Sequence, residues 1–139
     1  MPAHNEIANW NILLVDDEPD NLEVARKVLS FYGAQTFCAM DGIEGLKQLE
    51  QIYPTVILLD LSMPHMDGFE MIKRVRENPH YHELTVIALT AHAMSGDREK
   101  VMAAGFDGYI AKPFRIESLL NDIKEIVRDA DAVRQSRVG

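Results

Sequence analysis

Five side chains have types that could hold a cation and carry a group-transfer reaction, and all sit where an apolar run ends. Asp16 and Asp17 follow Ile12-Leu-Leu-Val15, and Asp60 follows Val56-Ile-Leu-Leu59. Thr90 follows Val86-Ile-Ala-Leu89, and Lys112 follows Gly108-Tyr-Ile-Ala111. Short continuous apolar runs suit strands covered on both faces, so each polar residue marks the point where the chain leaves a sheet. Singly, each has an ordinary explanation: an acid favours a helix start, and Thr and Lys are common at strand ends and turns. In an open parallel sheet, however, the carboxyl ends of the strands share one edge, and ligands bind there. Four strands then deliver a reactive group to one rim.

Carboxylates gathered at a rim repel one another unless a cation lies among them. A hard divalent ion with oxygen ligands meets that need, and Mg2+ suits it because it combines one or two carboxylates with water and phosphate oxygens. Asp60, the acid at the end of the central run, is the candidate nucleophile, since carboxylates form aspartyl-phosphates. Phosphoryl transfer asks the protein mainly for positioning and charge neutralisation. Lys112 can pair with phosphoryl oxygens, and the Thr90 hydroxyl can hydrogen-bond to them.

The elements that must position these groups alternate along the chain. Strands are predicted over 11–15, 35–39, 55–59, 85–89 and 108–111. The first helix opens on Pro19, which fits the first turn, and carries Leu22, Ala25, Val28 and Leu29 at helical spacing. Asp41 caps a second helix with Ile43, Leu46 and Leu49 on one face, and Phe69, Ile72 and Val75 stripe a third. Ser95 or Asp97 starts a fourth that stops before Gly105, and Ile116, Leu119, Leu120, Ile123, Ile126 and Val127 stripe the last. Five strand–helix units without a hairpin signal predict an α/β fold, a doubly wound five-stranded parallel sheet with right-handed crossovers and five helices. Residues 1–10 read as a loosely held lead-in, 11–127 as one domain, and 128–139 as a tail that loses the stripe and frays.

The 139 residues, 47% of them hydrophobic, suffice for one core. A formal charge of -8 argues against a nucleic-acid backbone as partner. The single cysteine, Cys38, excludes an internal disulfide and reads as core filling. No run approaches the length of a membrane span, and residues 1–11 lack a signal pattern. The expectation is a cytoplasmic protein with no membrane and no nucleic-acid partner.

Taken as a set, Asp16-Asp17, Asp60-Leu-Ser-Met-Pro-His-Met-Asp-Gly68, Thr90-Ala91 and Tyr109-Ile-Ala-Lys112-Pro113 resemble the receiver domain of bacterial two-component response regulators, of the chemotaxis-regulator type. The resemblance covers residues 11 to 127 and implies a flavodoxin-like sheet of order 2-1-3-4-5. It further implies that Asp60 accepts a phosphoryl group, and that Asp16, Asp17, Asp60 and the Ser62 backbone carbonyl hold Mg2+. Thr90 and Lys112 would contact the phosphoryl oxygens, with Thr90 and Tyr109 forming the switch. The donor in such proteins is a sensor histidine kinase or a histidine phosphotransfer protein, and an unidentified downstream protein reads the result. Ser62 and His92 occupy positions that vary in the family and tune phosphoryl lifetime; His92 is expected only to line the entrance.

The expectation is a stand-alone switch rather than an enzyme acting on other molecules, since neither flank leaves room for an output domain. A receiver excised from a hybrid histidine kinase is the first alternative. An aspartyl-phosphate phosphatase is a weaker one, because it wants a second carboxylate where Ser62 stands. A flavin module is weaker still, because Asp16-Asp17-Glu18 would repel the flavin phosphate. His80 and His82 lack two further zinc ligands, and His65, beside Pro64, reads as a solvated turn residue.

Overall fold

The computed structural model describes residues 7–91 and 95–138. Five strands, β1 (Asn11–Val15), β2 (Gln35–Ala39), β3 (Val56–Asp60), β4 (Val86–Thr90) and β5 (Gly108–Ala111), alternate with five helices. These are α1 (Pro19–Phe31), α2 (Gly42–Leu49), α3 (Gly68–Glu77), α4 (Ser95–Ala103) and α5 (Ile116–Val138). The strands form one parallel sheet in the order β2-β1-β3-β4-β5. The expected class, order and helix count are all present, and β3 and β4 each run one residue later than predicted.

Side-chain alternation along the strands divides the interior into two cores. Ile12, Leu14, Val56, Leu58, Ile87 and Leu89 point to one face and meet Leu22, Ala25 and Leu29 of α1 and Leu119, Ile123 and Val127 of α5. Leu13, Val15, Ile57, Leu59, Val86 and Ala88 point to the other and meet Leu49 of α2, Met71, Ile72 and Val75 of α3, and Val101 of α4. Every residue of β3 and β4 is buried, which is why their sequences read as unbroken apolar runs. Truncating a side chain such as Leu58 to Ala would cost about 2–5 kcal/mol.

Four sequence expectations need correction. The lead-in is not loose at its inner end: Ile7 is fully buried in the α1–α5 core, and its N–H donates to the Tyr32 carbonyl at 3.2 Å. The tail is helical, since α5 continues to Val138, with Ala130 buried and Arg134 donating to the Thr85 hydroxyl at 2.9 Å. Ile43 does not face the core but is 42% exposed. The buried face of α2 is Gly42, Gly45 and Leu49, with Leu46 partly buried. A Cβ at Gly45 would lie 2.8 Å from the Met71 methyl, so the helix seats against α3 through glycine rather than through a branched side chain. Ile116 likewise leaves the α5 stripe and is 60% exposed.

Candidate functional site

Sheet register sets the rim. Val15 pairs with Leu59, Asp60 with Leu89, and Thr90 with Ala111. Asp16, Asp60, Thr90 and Lys112 therefore leave neighbouring strands at nearly one level. The Lys112 N–H donates to the Thr90 carbonyl at 2.8 Å, carrying the β4–β5 ladder one step further and fixing where the lysine begins. At the centre, Gly68 lets the start of α3 lie against the carbonyl of Asp60, which any Cβ there would strike. Its N–H donates to the Leu61 carbonyl at 3.1 Å.

The charged groups converge. The Lys112 ammonium lies 3.1 Å from Asp60 Oδ2, 3.1 Å from Asp16 Oδ2 and 3.5 Å from Glu18 Oε1. Asp60 is 4% exposed and Asp16 1% exposed, so both carboxylates are withdrawn from water. The other oxygen of each is engaged locally: Asp16 Oδ1 accepts the Glu18 N–H at 2.9 Å, and Asp60 Oδ1 accepts the Ser62 N–H at 3.2 Å. Asp16 Oδ2 is different. It is buried, has the lysine 3.1 Å away as an ion-pair partner, and counts no hydrogen-bond donor among the described residues.

One lysine cannot neutralise this many acids. Burial, with the Asp16 charge adding to it, pushes the Asp60 carboxyl up to about 6, against the opposing pull of Lys112 and the Ser62 N–H. Burial works to lower the Lys112 pKa, but Asp16 and Asp60 outweigh it and hold the ammonium above its ordinary value. The site is thus short of positive charge. The carboxylates of Asp16, Asp17 and Glu18 lie with ligating oxygens within 4.8 Å of one another. An all-oxygen donor set with one buried oxygen lacking a donor fits a hard divalent cation such as Mg2+.

A cleft of about 700 Å3 opens over these groups, and Asp60, Ser62, Thr90 and Lys112 are among the residues that line it. Across its mouth the Lys100 ammonium rests 5.0 Å from the centre of the Phe69 ring. The structure thus brings Asp60, Thr90, Lys112 and Ser62 to one cleft. Asp17 groups with Asp16 and Glu18, and Asp60 meets that group through the shared lysine. Tyr109 stands apart: it pairs with Ala88 in the ladder and packs half-buried at the edge of the α3–α4 core. His92 lies outside the described residues. The sequence places Glu18 in the acidic run that would repel a flavin phosphate but not among the residues expected to hold the cation, whereas the structure groups its carboxylate with those of Asp16 and Asp17.

Comparison with known proteins agrees with this geometry. The model of the response regulator receiver domain family matches residues 12–124. The polar-differentiation response regulator DivK of Brucella ovis is 30% identical over 120 residues, which are 86% of this chain and 98% of that protein. The chemotaxis response regulator CheY4 of Vibrio cholerae superposes with a TM-score of 0.80 at 30% identity, covering 84% of this chain and 98% of that one. The receiver domain of the sensor histidine kinase PA1611 of Pseudomonas aeruginosa superposes with a TM-score of 0.78 at 33% identity, over 86% of this chain and 98% of that one. In that last structure a magnesium ion is coordinated in the active-site cleft.

Proposed function

We propose that this chain, which belongs to the response regulator receiver domain family, works as a phospho-acceptor switch with Asp60 as the acceptor. The observation that carries the reading is the convergence of the buried Asp16 and Asp60 carboxylates on one half-buried lysine beneath an open cleft, with a surplus of negative charge. A carboxylate oxygen of Asp60 attacks the phosphorus of a phosphohistidine, forming a P–O bond as the P–N bond breaks. The electron pair and a proton end on the departing imidazole. The donor is a sensor histidine kinase or a histidine phosphotransfer protein, and the product is a changed surface read by a downstream protein.

Asp16, Asp17, Asp60 and the Ser62 carbonyl are the residues that would hold Mg2+, with Glu18 beside them. The ion, when bound, neutralises charge on the transferring phosphoryl group. Lys112 swings from carboxylate to phosphoryl oxygens, a short move for an ammonium already 3.1 Å from Asp60. Thr90, at the end of β4 and lining the same cleft, donates its hydroxyl to another oxygen. The likeness to the PA1611 receiver supports a second setting for the same chemistry, a relay within a larger sensor kinase.

The test is intact mass after mixing with Mg2+ and acetyl phosphate. One phosphoryl adduct is expected, absent with excess chelator and absent in Asp60→Asn. An adduct persisting on another carboxylate in Asp60→Asn would overturn the assignment.

A further inference from the structure

The loop from Leu61 to Asp67 carries Ser62 and is tied down at its base by the Gly68–Leu61 hydrogen bond. Its far side is held from a neighbouring element. Asp41, the N-cap of α2, accepts the Glu44 N–H on Oδ1 at 2.9 Å and contacts His65 Nδ1 through Oδ2 at 2.8 Å. The next N–H, of Gly42, donates to the Met66 carbonyl at 3.0 Å. A Cβ on Gly42 would stand 2.9 Å from that carbonyl and 2.7 Å from Met66 Cγ, so the two loops meet without room for any side chain there.

His65 adopts φ 65°, a left-handed conformation uncommon outside glycine, although histidine is among the side chains that take it most readily. Its side chain is 69% exposed, as expected of a solvated turn residue, so burial does not compel that conformation. The Asp41 side chain is only 11% exposed and offers a carboxylate at the end of that turn. The Glu44 N–H first, and His65 second, hold the Asp41 carboxyl below its usual range. The contact thus joins a charged cap to a strained residue three positions beyond Ser62.

We infer that His65, acting through Asp41, is a positioning residue that clamps the loop after β3 onto the start of α2, so that the Ser62 carbonyl is held ready for the cation. This rests on the receiver reading of the site. Without the clamp the loop must be ordered each time the ion binds, and that cost lowers affinity.

Three variants separate the clamp from its surroundings. Asp41→Ser keeps a good helix cap but cannot reach His65 with a carboxylate. His65→Gly accepts positive φ but removes the contact, whereas His65→Asn accepts positive φ and offers a side-chain donor in place of Nδ1. Mg2+ affinity is measured by calorimetry, with hydrogen exchange at the Gly42 amide in metal-free protein as a second readout. Asp41→Ser and His65→Gly should each weaken Mg2+ binding about three- to tenfold, the factor of one net hydrogen bond, and speed Gly42 exchange. The double variant should be no weaker than either single one, because both remove one interaction. His65→Asn should return to within about twofold of wild type on the same scale.

Unchanged affinity in His65→Gly, or His65→Asn as weak as His65→Gly, overturns the clamp. Failure of the receiver reading shows instead in the wild type, which would bind no Mg2+ or form no adduct at Asp60, and the clamp would fall with it. Failure of the clamp alone leaves the wild type binding and labelling normally.

Discussion

Two ion clusters lie at opposite ends of the same sheet, and they are built in opposite ways. At the rim one cation, Lys112, is shared among Asp16, Asp60 and Glu18. At the far end one carboxylate, Asp107, is shared among cations and a backbone donor. Its Oδ2 accepts the Arg76 guanidinium at 3.0 Å and the Val86 N–H at 2.8 Å, with Arg134 at 3.5 Å. The remaining Arg76 donors reach the carbonyls of Gly105, His82 and Leu84. The far cluster ties α3, β4, β5 and α5 together with its donors matched to acceptors. The rim leaves a buried oxygen of Asp16 without a donor and forces Asp60 up to about 6. The far cluster meets its polar groups mostly with hydrogen bonds inside the fold, whereas the rim leaves a deficit that a bound cation could fill.

The largest expected effect tests that deficit directly. Lys112→Met removes the one cation between two buried carboxylates and should cost about 3 kcal/mol of metal-free stability. Saturating Mg2+ should recover much of that loss, because another cation can take up the same charge. Urea melts with and without Mg2+ measure both, and a variant that Mg2+ leaves unmoved would mean that the rim is not short of positive charge.

The converse variant belongs to the far end. Asp107→Ala takes the shared carboxylate from two guanidinium groups, which keep their other partners, and from the Val86 N–H. Because these side chains are about one-fifth exposed, the cost is nearer ~2 kcal/mol than the full penalty of a buried pair. Mg2+ should recover no more than it adds to wild type, and Asp60 should still label in the folded fraction. Loss of labelling at temperatures where the variant is folded would show that the two ends are not independent.

Only one of these clusters was legible beforehand. The rim could be read because each buried strand is an unbroken apolar run, so the polar residue that ends it stands out, and parallel topology gathers those ends. Arg76, Asp107 and Arg134 carry no such mark; they lie 31 and 27 residues apart, and packing alone brings them together. The same limit hid the length of α5, whose last turns rely on Ala130 and on Arg134 reaching Thr85 rather than on a stripe of large apolar residues. It hid Ile7, which completes the core from outside the periodic region. The α2 face was misread because close packing there selects Gly42 and Gly45, which a search for hydrophobic periodicity overlooks.

A third, smaller effect distinguishes the ends by pH. Asp60 rises from an ordinary 3.8 to about 6 on folding, so between those values the folded state holds the proton more tightly. Its contribution to metal-free stability is therefore fullest below about pH 4 and is lost as pH rises through about 6. We expect a loss of about 1–2 kcal/mol, less than the full shift implies because Lys112 shares the charge. Asp60→Asn should flatten that part of the profile, and Asp107→Ala should leave it in place. Matching slopes for wild type and Asp60→Asn would remove Asp60 as the source.

The smallest effect concerns how far a change at the rim travels. A phosphoryl group on Asp60 adds charge of roughly -1.5 to -2 beside Lys112 and Thr90. Turning the Thr90 hydroxyl toward it would open space over the end of β4, toward which the Tyr109 ring on β5 could move. That ring is already half-buried against the α3–α4 core, so the movement is a repacking at the edge of a core rather than an entry from solvent. At the other end of β5, Asp107 immediately precedes Gly108 and is held by Arg76 and the Val86 N–H, which pins the start of the strand. The far cluster would then confine the response to side chains at the Tyr109 level and to α4. A population shift of this kind needs only a few kcal/mol of differential interaction. With beryllofluoride as the phosphoryl mimic, wild-type NMR shifts should be large at Tyr109 and from Val101 to Ala104, and small at Asp107 and Arg134. Thr90→Ala should still bind the mimic but show clearly smaller shifts at Tyr109. Equal shifts in both proteins would mean that Thr90 does not carry the signal. Shifts at Asp107 as large as those at Tyr109 would mean that the saturated end moves with the rim.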